Sequence, residues 1–296
     1  MSNDDFNLVS AELPQKLLPV AGCKKRKKNK PIISMVLLAA ILLGCLFAEV
    51  VMNHSPTYMN LADAGTPPCA KFWFGTDAMG RDIFSMLWYG GRISLFIGLA
   101  ATAISLFIAV LYGSVSGFAC EAVDDAMMRI TEILISIPSI LIIILIQAAI
   151  GQNNPLSVAL VIGLTGWMNI AKMVRGEVLQ IRSNSYIIAS KCMNGSFWHI
   201  LRNHILPNLI SPLLFMAVTS VGSAIAAEST LSFLGIGLPL EVVSWGSMLS
   251  LADRALLSGD WWVILIPGLF LVVTLVCITD IGNYLRKENN RGCSYL

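Results

Sequence analysis

Long apolar runs separated by short polar segments dominate the chain. Residues 31–48 carry no charge and, extended through Glu49 to residue 52, are long enough for a first span, since about 20 helical residues cross a hydrocarbon core. Further runs occupy residues 93–120, 133–150, 155–171, 209–227 and 262–279. The uncharged stretch from Ile133 to Ala171 is divided by Gly151-Gln152-Asn153-Asn154-Pro155, a cluster of turn-forming residues. The pattern predicts an all-α membrane protein with six transmembrane helices. Pro138 lies inside the third run and is expected to kink or loosen its helix, as a gate or as an ordinary bend that neighbouring helices tolerate.

Between the fourth and fifth runs lies the segment 176–208. From Tyr186 to Met193 it is apolar or small except for Lys191, and it stops at Asn194-Gly195, a pair suited to the left-handed backbone that ends helices. A second helix is expected to start at Ser196 as N-cap and to run through Trp198, Ile200 and Ile205 until Pro207 interrupts it. Two such helices on the membrane face expose more apolar surface than a solvated loop requires, so the segment calls for a protein partner.

Composition agrees with the pattern: 56% of residues are hydrophobic and 13% charged, with a mean hydropathy of +0.73. Sixteen of the twenty basic residues fall on one side of the six predicted spans, which places both termini and the 176–208 loop in the cytoplasm. Lys24-Lys25-Arg26-Lys27-Lys28 stands just before the first run. It reads as an orientation signal and anionic-lipid anchor, with nucleic-acid binding or nuclear targeting as the competing reading. The apolar run that follows is too long for the core of a cleaved signal. Seven cysteines are scattered without metal-site spacing, and only Cys69 falls on the outer side, so no disulfide framework is expected. The organisation expected is a basic cytoplasmic tail (1–30), a first span (31–52), an outer segment (53–92), a five-helix core (93–286) and a short polar tail (287–296).

The outer segment contains Gly75-Thr76-Asp77, Gly80-Arg81-Asp82 and Tyr89-Gly90-Gly91-Arg92. By its aromatic content it is a membrane-anchoring loop, with a short interfacial helix over 82–89. Glu228 follows a run of small residues and sits near the outer boundary of the fifth span. An ionisable group at that depth needs a partner, water or the bundle interior; a structural role and a role in a pathway or outer gate both remain open.

The order Tyr186, Ala189, Lys191, Gly195, Trp198, then Ile200 and His204-Ile205-Leu206-Pro207-Asn208 resembles the coupling loop of ABC importer permeases, in the branch that moves dipeptides, oligopeptides and nickel. Gly75-Thr76-Asp77 with Gly80-Arg81-Asp82, the Ser136-Ile137-Pro138-Ser139 run and Glu228 before Leu231-Ser232-Phe233-Leu234-Gly235 are similar to the same family, over residues 72–286. The resemblance implies a type I importer fold in which the loop docks a short helix on an ATPase subunit. The family's glutamate falls on Ile188, its second alanine on Ser190 and its glycine on Asn194, so the usual ionic contact has no carboxylate here and apolar docking remains. The partners it implies are a second, homologous permease, two ABC ATPase subunits, an extracytoplasmic binding protein and the lipid of a bacterial inner membrane. Cargo would be di- or oligopeptides, with nickel or a metal chelate as the alternative.

The sequence has no Gly-x-x-x-x-Gly-Lys phosphate loop. ATP and Mg are therefore expected on the partner ATPases, with no cofactor on this chain, no enzymatic activity and no nucleic-acid binding. His199 and His204 miss the i, i+4 spacing of a helical zinc site, and no hydrolase elbow occurs. An ion-coupled secondary transporter and a membrane-embedded enzyme are the rival classes; the first needs repeats or several intramembrane charges, the second a catalytic cluster within the spans.

Overall fold

The computed structural model describes residues 31–151, 154–239 and 241–292. The basic tail, residues 1–30, lies outside the described residues, as do the last four positions. Among the described residues the fold is helical, with no strand and a single isolated bridge between Thr76 and Asp82. Four helices are long and apolar enough to cross a membrane, or five if one sharply bent pair counts as a span.

The first run forms α1 (Ile32–Leu46) and, after a break at Phe47, α2 (Ala48–Val51). At about 1.5 Å per residue α1 alone falls short of a hydrocarbon core. The break is held by Arg92, whose guanidinium donates to the carbonyls of Cys45 (2.9 Å) and Leu46 (2.8 Å) and to Glu49 (2.9 Å). Those contacts supply donors to carbonyls that a helix end leaves without partners.

α3 (Ile83–Phe118) is longer than the second apolar run, because residues 83–89 join it as its first two turns instead of forming a separate interfacial helix. Asp82 caps it, accepting from Ser85 N at 3.1 Å. Behind the cap, the residues that resemble the family signature form a buried knot. Asp77 accepts from the Arg81 amide (2.9 Å) and guanidinium (2.7 Å), and both side chains are nearly inaccessible. Thr76 O accepts from the indole of Trp262 at 3.1 Å. The outer segment is thereby fastened to the start of the last helix.

The third run bends at Pro138 as expected, and far more sharply than an ordinary kink. α4 (Glu121–Ser136) and α5 (Ser139–Ile150) meet at 86° across Ile137-Pro138. Ile137 is extended (φ −88°, ψ 129°), the conformation that a following proline imposes, and the missing N–H of Pro138 ends the ladder. α6 (Pro155–Ile181) passes Ala171 by ten residues. Gly176 does not stop it, because the residues around that glycine pack on α3: a Cβ on Gly113 would come 2.6 Å from Ala171 O, and one on Gly117 would come 2.7 Å from Val178. Small residues at i, i+4 let two helices approach closely in a membrane.

Beyond the loop, α7 (Ser185–Cys192), α8 (Phe197–Ile200), a π-helical turn (Leu201–Ile205) and α9 (Leu206–Phe233) follow. On the outer side α10 (Trp245–Leu249) and α11 (Ala252–Ser258) lead into α12 (Trp261–Gly292), which continues well into the predicted polar tail. Large apolar side chains such as Leu99, Phe107, Leu145 and Leu269 point outward, 59–70% exposed. A surface of that kind suits lipid, not water.

Candidate functional site

The loop between α6 and α9 is shorter and stiffer than its sequence suggests. Arg182, the residue after α6, donates to Gly117 O at 2.8 Å. Two turns earlier on the helix face, Arg175 forms a two-pronged pair with Asp124 of α4 (2.6 and 2.5 Å), and Ser116 of α3 donates to the same carboxylate. Two parallel charge-assisted bonds fix orientation as well as distance. The end of α3, the start of α4 and the last turns of α6 are thus clamped together where the loop leaves them.

α7 then lies with one side buried and the other free. Ile187 is fully buried in the apolar cluster formed with Val178, Ile181, Ile200, Ile205 and Leu209. Ser190 is 5% exposed because Gly195 sits on it: the Gly195 N–H donates to Ser190 O at 2.9 Å, and a Cβ there would come within 2.8 Å of the Ser190 carbonyl and hydroxyl. The left-handed residue at this corner is Asn194 (φ 60°), and Gly195 is required for close approach instead. On the opposite side Tyr186, Ile188 and Ala189 are exposed, as is Met193 at 79%, whereas Trp198, 66% exposed, borders an apolar groove with Leu106, Phe107 and Val110 of α3. Lys191 belongs to α7; its side chain lies outside the described residues.

Ser196 caps the second helix through His199 N (3.3 Å) as expected, but Pro207 does not interrupt it. Leu206 N bonds to Leu201 O in the π turn, which shifts the ladder by one residue so that the helix passes the proline, now at the start of α9. The Asn208 side chain donates to His204 O at 2.5 Å. His204 packs against the Tyr186 ring, centroids 5.8 Å apart, so α7 is seated directly on the root of α9.

The helices enclose a second feature, a cavity of about 260 Å³ between α3, α5, α6 and α9. Ser105, Ser139, Thr165, Asn169, Thr219, Ser220 and Ser223 supply its polar lining, and no carboxylate, imidazole, thiol or basic group is among the lining residues. Sequence reading missed these side chains. Their signal was present in the four-residue spacing of Thr165 with Asn169 and of Thr219 with Ser223, which puts each pair on one helix face. Pro138 stands next to Ser139 at the cavity's edge.

Glu228 does not line the cavity. It is fully buried and accepts from the hydroxyls of Ser244 (2.8 Å), Ser232 (3.0 Å) and Ser94 (3.2 Å). The Trp245 amide in turn donates to Ser94 Oγ at 3.1 Å. One carboxylate therefore ties α3, α9 and the start of α10 together. A Cβ on Gly246 would meet Glu228 Oε1 at 2.9 Å, so the approach of α10 depends on that glycine.

A model of the family described as binding-protein-dependent transport system inner membrane component matches residues 109–287. The chain belongs to this family. It is similar to the dipeptide transport system permease protein DppC of Bacillus subtilis, with 37% identity over 89% of this chain and 82% of the relative. The oligopeptide transport system permease protein OppC of the same organism is 36% identical over 88% of this chain and 85% of the relative. The probable D,D-dipeptide transport system permease protein DdpC of Escherichia coli is 33% identical over 94% of each chain. The family match runs from within α3 to within α12, and so takes in the cavity lining except Ala101 and Ser105, the clamp of Arg175 on Asp124 and the whole of α7. The protein is a multi-pass membrane permease component and not itself an enzyme.

Proposed function

We propose that this chain is one permease subunit of an ATP-driven peptide importer, forming half of the pathway and coupled to ATPase subunits through α7. The observation that carries the reading is the seating of α7: Ile187 and Ser190 fix it from beneath, while Ile188, Ala189 and Met193 are left as an exposed apolar surface. Such a surface on a rigidly mounted helix fits a groove on a partner better than it fits water. In this reading six spans cross the membrane, with α1 and α2 together as the first and the bent pair α4 and α5 as the third. Both termini and α7 face the cytoplasm, in keeping with the excess of basic residues there.

The partners are a second permease completing the pathway, two ATPases holding ATP and Mg, and a binding protein that delivers cargo outside. Motion requires the ATPase pair to prefer one permease conformation over the other. Peptide cargo is supported by the dipeptide and oligopeptide permeases that this chain resembles. It is also supported by a cavity lining without the imidazole, thiol or carboxylate groups that hold a nickel ion.

The test is uptake of a labelled dipeptide by proteoliposomes holding the assembled transporter. Uptake that needs ATP and binding protein, and that persists when ion gradients are collapsed, supports the proposal. Uptake driven by an ion gradient without ATP would make the protein a secondary carrier.

A further inference from the structure

Residues 198–206, the first turns of the span Phe197–Phe233, do not pack flush on α3. An apolar groove of about 460 Å³ remains, walled by Leu106, Phe107, Val110 and Leu111 of α3 and by Trp198 and Leu206 across from them. At about 100° per residue, these four α3 residues lie roughly opposite Ala101 and Ser105, which line the cavity. Leu99 and Phe107, 59% and 68% exposed, share that outward face, so the groove opens where α3 meets lipid. Arg202 is the one charged group among the described lining residues. It is exposed, and no described residue gives it a hydrogen bond or an ion pair. The chain carries no Asp or Glu from 178 to 227, so no acid close in sequence competes for it. Trp198 lies beside the same groove, and tryptophan and arginine near the end of a span are side chains of the headgroup layer.

We infer that this groove is a binding site for an anionic phospholipid, with one acyl chain against Leu106, Phe107 and Val110 and the headgroup phosphate paired with Arg202. Apolar walls suit a hydrocarbon chain, and a guanidinium meets phosphate through parallel N–H bonds. The arginine stem can lie along the groove while its head reaches the interface. A helix of a partner protein is the other occupant that such a trough accepts. Its placement weighs against that: in the importer reading, on which this step rests, the second permease closes over the cavity on the opposite face of α3. In the same reading this end of α9 faces the cytoplasmic leaflet, whose anionic lipids attract basic side chains. The lipid then fills the gap between α3 and the π-helical turn at the root of α9.

The experiment uses the assembled transporter in proteoliposomes that contain a trace of either phosphatidylglycerol or phosphatidylethanolamine, each carrying the same photoreactive acyl chain. After illumination, labelled positions are mapped by mass spectrometry. Phosphatidylglycerol is expected to label residues 106–111 and 198–206 about fivefold more than phosphatidylethanolamine. The preference should be kept in Arg202→Lys and lost in Arg202→Gln, and Val110→Trp, which fills the trough, should remove labelling by both lipids. Equal labelling by the two lipids, or a preference unaltered in Arg202→Gln, overturns the inference. So does a groove labelled in the isolated chain but protected in the assembled transporter, since a protein then covers it. The exposed Arg202 variants carry the test by themselves if Val110→Trp does not reach the membrane. Absence of ATP-dependent peptide uptake in the same vesicles, with the lipid preference and its loss in Arg202→Gln intact, defeats the importer reading and leaves the lipid site standing.

Discussion

Single residues divide into those that set the geometry of the loop and those that present its surface. Ile187, Ser190 and Gly195 belong to the first group, and Ile188, Ala189 and Met193 to the second. A carboxylate on the outward side would have to be desolvated at an apolar contact, which costs roughly 1–3 kcal/mol by mutational measures. Ala189→Asp should therefore uncouple the pump. ATP hydrolysed per peptide moved is expected to rise about tenfold while the variant reaches the membrane in normal amount, and an unaltered ratio would remove Ala189 from the docking surface. Glu228 illustrates the opposite case. Its hydroxyl partners can rotate to suit an amide, but Glu228→Leu strands buried groups on α3, α9 and α10 at roughly 1–3 kcal/mol each. Thermal melting in detergent should leave Glu228→Gln near wild type and lower Glu228→Leu by several degrees; equal melting of the two would mean that the serine cluster is satisfied without an acceptor at its centre.

Elements show where sequence pattern suffices and where it fails. Apolar runs marked α3, α6, α9 and α12 because hydropathy reports burial in lipid directly, and Asn194 and Ser196 marked the corner of the loop through turn and cap chemistry. Their ends were not legible. Gly176 and Pro207 are helix breakers by propensity, yet tertiary packing carries α6 past the first and a π turn carries α9 around the second. The 86° break at Pro138 was legible as a kink but not in size, because the angle depends on how α4 is held by Arg175 and Asp124, residues far apart in sequence. The tight approach of α3 to α6 was hidden for the same reason. Gly117→Leu should push these helices apart at Val178, and the expected result is loss of folded protein after detergent extraction, measured as a monodisperse peak on size exclusion. A well-folded variant of that kind would show that the contact is slack.

At the scale of the molecule, the features lie along one line. The clamp of Arg175 on Asp124 holds the end of α3, the start of α4 and the last turns of α6, α7 is seated on the root of α9, and α9 carries both cavity-lining hydroxyls and Glu228. One continuous helix thus runs from the seat of α7 past the cavity wall to the Glu228 cluster. The cavity opens between helices of a single chain, in keeping with a pathway completed by a second subunit. The most direct measurement is affinity purification of this chain from its native membrane in mild detergent, with every co-purifying protein identified by mass spectrometry. The account predicts a second homologous permease and a pair of phosphate-loop ATPases in stoichiometric amount, with the ATPases depleted when Ala189→Asp is the bait. Recovery of the chain alone, in a detergent that keeps other membrane complexes intact, would contradict it.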